Sequence, residues 1–116
     1  IPIFNNNYKS RTVQNELRQE EINSQKANRR NLLESILSDA LNKREASYIK
    51  HQTQLRNLEQ AKDAEEILIK NYETGTIDFN DVLDIQELQL RFQLKLIEAV
   101  KDNYVQTAII NYLTNQ

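Results

Sequence analysis

The chain has 116 residues, 28 % of them charged, with a formal net charge of -2 and no cysteine. Disulfides, thiolate nucleophiles and sulfur-ligated metal centres are thereby excluded, and a weakly acidic chain has no global electrostatic pull toward nucleic acid. No apolar run approaches the roughly 18 residues that a membrane-crossing helix needs, and the first residues lack the basic-then-apolar pattern of a signal peptide.

The chain contains one Gly and one Pro. These residues punctuate loops, so two long uninterrupted segments are expected on either side of Gly75. At the start, Ile1-Pro2-Ile3-Phe4 is apolar and β-branched and reads as the end of a strand, with Pro2 tolerated at an edge. Asn5-Asn6-Asn7 follows as a turn into a helix. No second convincing strand accompanies it, which points to a portion of a larger assembly.

Residues 8–73 favour helix throughout, being rich in Leu, Glu, Gln, Lys, Arg and Ala. A helix of that length is a rod on the order of 100 Å, which suggests a coiled coil or a helical barrel. Leu41, Tyr48, Leu55 and Ile69 recur at multiples of seven, with Leu37, Leu58 and Tyr72 on a neighbouring line. This is the heptad pattern of side-by-side helices, interrupted by Arg44, His51, Lys62 and Glu65. The stretch from Arg18 to Asn31 is much more polar. Its basic run Lys26-Ala27-Asn28-Arg29-Arg30 is flanked by Glu20, Glu21 and Glu34, so a nucleic-acid surface is not expected.

Residues 74–78 form the turn. Gly75 suits the left-handed position that ends a helix. Asp78 is a good N-cap, Asp81 stands at the capping-box position, and Ile77 and Val82 occupy the hydrophobic-staple positions. The returning helix covers residues 79–114, with 115–116 as a tail. Leu83, Leu90, Ile97 and Tyr104 form one seam, and Phe92, Ala99 and Gln106 a line beside it. The expected fold is all-α, a long antiparallel helical hairpin of coiled-coil type. It pairs the second helix with roughly Ser35–Tyr72 and leaves the first half of the first helix without a partner.

No catalytic constellation is visible, and the chain is not expected to be an enzyme or to hold a cofactor. His51 is the one histidine, and its spacing from Glu45 and Glu59 fits neither Glu-x-x-His nor His-Glu-x-x-His. With one Gly there is no phosphate-cradling loop. Asp81 and Asp84 share a helix face just after the turn. They read either as a solvated, capped first turn or, repeated by symmetry around a pore, as acidic rings that attract cations and hinder anions.

The run Tyr72-Glu73-Thr74-Gly75-Thr76-Ile77-Asp78-Phe79-Asn80-Asp81-Val82-Leu83-Asp84 resembles the helix–turn–helix tip of TolC-type outer-membrane efflux proteins. Asp78 stands where the family has a hydroxyl cap. The opening Ile1-Pro2-Ile3-Phe4-Asn5-Asn6 and the later Val105-Gln106-Thr107-Ala108 and Tyr112-Leu113 are similar to the family's strand end and returning helix. The resemblance implies one periplasmic hairpin, of the second repeat, in a trimer whose subunits build an α-helical tunnel and an outer-membrane β-barrel. It implies a periplasmic location in a Gram-negative bacterium and docking of a periplasmic adaptor and inner-membrane pump at the tip. Export is then passive, and no metal is required. Tyr72, Gly75, Thr76 and Ile77 would shape the tip and its contacts with the adaptor or neighbouring hairpin, and Asp81 and Asp84 would line the constriction. Ile77 replaces an arginine that latches the closed tip in the best-known member, so an identical latch is not implied. The alternative is a soluble coiled-coil scaffold or adaptor without a channel.

Overall fold

The computed structural model describes residues 2–115, with side chains from residue 7 onward. It contains two helices, α1 (Pro2–Glu73) and α2 (Phe79–Thr114). α1 begins at Pro2 and absorbs the segment expected to end a strand and turn; Ile1, the first residue of that expected strand, lies outside the described residues. The physical reason is local. Proline is well accommodated in the first turn of a helix, where its missing N–H would have no partner, whereas a strand needs a ladder partner that the described residues do not supply.

The chain divides into two units, Ile1–Ser38 and Asp39–Gln116. In the first, residues 7–36 are all solvent-exposed. Local bonds such as Thr12 Oγ1 to the Tyr8 carbonyl (3.0 Å) and Gln19 Nε2 to Asn23 (3.2 Å) decorate this helix.

The second unit is an antiparallel hairpin. Its register is fixed by hydrogen bonds between the helices: Asn103 Nδ2 donates to Ser47 Oγ (3.4 Å), and Gln89 Nε2 donates to Glu65 (3.0 Å) and to the Ala61 carbonyl (3.4 Å). Buried and half-buried positions step by three and four along each helix. One continuous run of them is Ala40, Arg44, Ser47, His51, Gln54, Leu58, Ala61, Glu65 and Leu68 on α1, and Val82, Ile85, Gln89, Phe92, Leu96, Ala99, Asn103, Gln106 and Ile110 on α2. This alternation is that of a coiled-coil seam.

The expected leading seams are not the ones that close. Leu41, Tyr48, Leu55 and Ile69 on α1 and Leu83, Leu90, Ile97 and Tyr104 on α2 all stand exposed, Ile97 at 67 % and Tyr104 at 76 %. The helices meet instead on the neighbouring lines, where small residues face larger ones. Ala61 lies opposite Gln89 and Ser47 opposite Asn103, and the same register sets Ala40 opposite Ile110 and Ala99 opposite His51. Small side chains let the axes approach, and the facing polar groups bond each other. A seam of Tyr48 and Leu55 against Ile97 and Tyr104 would hold the helices farther apart and strand those polar groups.

Candidate functional site

The chain leaves α1 through Gly75, which lies two residues past the last helical residue and has a φ of +75°. The Gly75 N–H donates to the Tyr72 carbonyl (2.9 Å) and the Thr76 N–H to the Asn71 carbonyl (2.9 Å). This pair of bonds is the Schellman closure, which satisfies carbonyls that a helix end otherwise leaves open. Thr74 Oγ1 adds a bond to the Asn71 carbonyl (3.0 Å) and meets Thr76 Oγ1 at 2.9 Å. Thr76 thus serves the turn through both its backbone and its hydroxyl.

Asp78 takes the N-cap position with extended backbone (φ -81°, ψ 152°). Its carboxylate accepts from Asn80 Nδ2 (3.2 Å) and makes no bond to a helix N–H; the Asp81 N–H goes to the Asp78 carbonyl (3.1 Å). The position is as expected, whereas the side-chain cap and the capping box do not form. Val82 is buried and Ile77 half-buried, consistent with an apolar staple that fixes the entry into α2. Tyr72 and Phe79 close the tip with ring centroids 5.4 Å apart at 53°, a tilted pair worth about 0.5–1.5 kcal/mol beyond its burial. Phe79 was not among the expected tip residues. The signal was its place seven residues after Tyr72, across a turn that brings the helix ends together.

Asp81 and Asp84 are both exposed and border one shallow groove with Leu68, Ile85 and Leu88. Asp81 shares a seven-residue column with Leu88, Lys95 and Asp102. Asp102 in turn borders a groove with Lys43 and Lys50, and Lys50 Nζ pairs with Glu98 at 3.0 Å. That side of the hairpin is charged. The hydrogen bond and charge of Lys50 hold the Glu98 carboxyl below its ordinary value; slight burial opposes this, and Lys101 and Lys95 add to it.

The other side carries the larger exposed apolar columns, interrupted by charged residues such as Lys62. Tyr48 and Val100 line a groove with His51, Ala99 and Asn103, and the exposed columns of Leu41, Tyr48, Leu55 and Ile69 and of Leu83, Leu90, Ile97 and Tyr104 flank it by helical spacing. Thus the two acidic residues and the unpartnered apolar columns lie on opposite sides of the seam. Periodicity revealed both sets of residues but not which of them would be spent on closing the hairpin.

Among the described residues no group of His, Cys, Asp and Glu is arranged to hold a metal ion, and no helix is long and apolar enough to cross a membrane. Compared with protein-family models, curated proteins and solved structures, the chain matches none of them.

Proposed function

We propose that this hairpin is a wall-and-tip segment of a TolC-type outer-membrane efflux channel, working by passive export and not by catalysis. The observation that carries the reading is the two-sidedness of the hairpin. A helix pair that has already closed one seam still presents large apolar columns on one side and, on the other, a charged side that carries Asp81 and Asp84 near the tip. Exposed apolar surface on this scale marks an interaction face. Covered by neighbouring hairpins, it makes a wall. The opposite side, with Asp81 and Asp84, then faces water, where a symmetric set of carboxylates selects for cations. The Gly75 turn and the Tyr72–Phe79 pair give the wall a defined end for the adaptor and pump to meet, and Ile77 offers that end an apolar contact.

The hairpin has no cysteine of its own, so single thiols test this directly once any cysteine elsewhere in the channel protein has been replaced. Leu90→Cys, Ile97→Cys and Asp84→Cys would be placed in the channel protein and exposed to a small charged maleimide in outer-membrane vesicles. The channel reading expects modification at position 84 and protection at 90 and 97. Equal modification at all three positions would contradict it and favour an isolated coiled-coil scaffold.

A further inference from the structure

The apolar face of α2 carries a charge pattern that selects a partner. Leu83, Leu90, Leu94, Ile97 and Tyr104 stand 45–76 % exposed along about 30 Å of helix. Two charged residues interrupt this strip: Glu87, seven residues before Leu94, and Lys101, seven residues after it. Glu87 is engaged by Arg91 of its own helix (3.2 Å), with both side chains well exposed, a pair of little worth in water.

We infer that this face is self-complementary and takes a second copy of the chain, α2 against α2 in antiparallel orientation about a two-fold axis near Leu94. In that arrangement Leu94 meets its own counterpart. Leu90 meets Ile97 of the other copy, and Leu83 meets Tyr104. Glu87 of each copy comes beside Lys101 of the other, so both interruptions are neutralised at once. A parallel pairing sets Glu87 against Glu87 and Lys101 against Lys101, and like charges in register are strongly unfavourable. A two-fold contact needs one patch complementary to itself, and the placement of one acid and one base equidistant from Leu94 supplies it. The pairing uses columns that the channel reading covers with neighbouring hairpins, so this inference concerns the chain free of such neighbours and does not depend on the channel reading.

The test is sedimentation equilibrium of the 116-residue chain, with helicity checked by circular dichroism for each variant. The wild-type chain should be a reversible dimer. Lys101→Glu should weaken dimerisation at least about tenfold by facing acid with acid, and Glu87→Lys combined with Lys101→Glu should restore it. Oxidation should link Leu94→Cys chains to one another readily, and Glu87→Cys chains far less. A monomeric wild-type chain, a double swap that does not restore association, or Glu87→Cys chains that link as readily as Leu94→Cys chains would each overturn the inference. None of these results bears on whether the full channel conducts, so the two proposals fail separately.

Discussion

Gln89 Nε2 donates to the Glu65 carboxylate across the hairpin at 3.0 Å and reaches the Ala61 carbonyl at 3.4 Å. One amide thereby ties α2 to both a side chain and the backbone of α1. Half-buried polar groups are costly when their partner is removed. Gln89→Ala should therefore lower stability by about 1–2 kcal/mol, read as a lower urea midpoint by circular dichroism. The Glu65→Ala, Gln89→Ala double variant should lose less than the sum of the two single changes, as expected of residues that interact.

Gln54 behaves in the opposite way. Its Oε1 is buried without a hydrogen-bond partner, because the register places it opposite Leu96, which offers no donor. Gln54→Leu removes the stranded acceptor and adds apolar packing. The expected gain is about 1 kcal/mol or more, visible as a higher thermal midpoint.

Among the described residues Gly75 is the one with positive φ, at +75°. A Cβ built there meets nothing within 4 Å, so the cost of Gly75→Ala is backbone strain alone, about 1–2 kcal/mol. Gly75→Asn should cost less, since Asn tolerates the left-handed region better. Chemical denaturation of the two variants distinguishes strain from steric exclusion, which would penalise the larger Asn more.

The Lys50–Glu98 pair predicts an acid dependence. Lys50 lowers the Glu98 carboxyl in the folded chain relative to its ordinary value of 4.5. A carboxyl lowered by folding stabilises the fold above its unfolded value, and that contribution is lost as pH falls through the folded value. The stability difference between the wild-type chain and Glu98→Gln should thus be constant from neutrality down to about pH 5 and shrink below pH 4.5. Urea midpoints measured across that range check it.

The hairpin itself was legible because one Gly separates two long stretches of good helix formers, and Gly75 and Asp78 occupy the positions expected of them. The seam was not legible from heptads alone. Both helices carry two adjacent apolar lines, and periodicity does not rank them. Close approach decided the matter, through Ala40, Ala61 and Ala99, and so did polar complementarity, through Ser47 with Asn103 and Glu65 with Gln89. These are pairwise properties that appear only once the register is known. The same limit applies at the tip. Sequence placed Asp78 at the N-cap, but which proton its carboxylate accepts depends on the rotamer that brings Asn80 within 3.2 Å. At the other end, Pro2 looked like a strand residue, although a first helical turn accommodates it equally well.

The most direct test of the channel proposal is ion selectivity in a planar bilayer, comparing the channel protein that carries this hairpin with its Asp81→Asn, Asp84→Asn variant. If the acidic side of the hairpin lines the constriction, the wild-type pore prefers cations and the variant loses much of that preference, with a changed conductance. A pore whose selectivity and conductance are the same with and without the two carboxylates would contradict the placement of Asp81 and Asp84. Failure of the folded, membrane-inserted protein to conduct at all would contradict the channel reading itself.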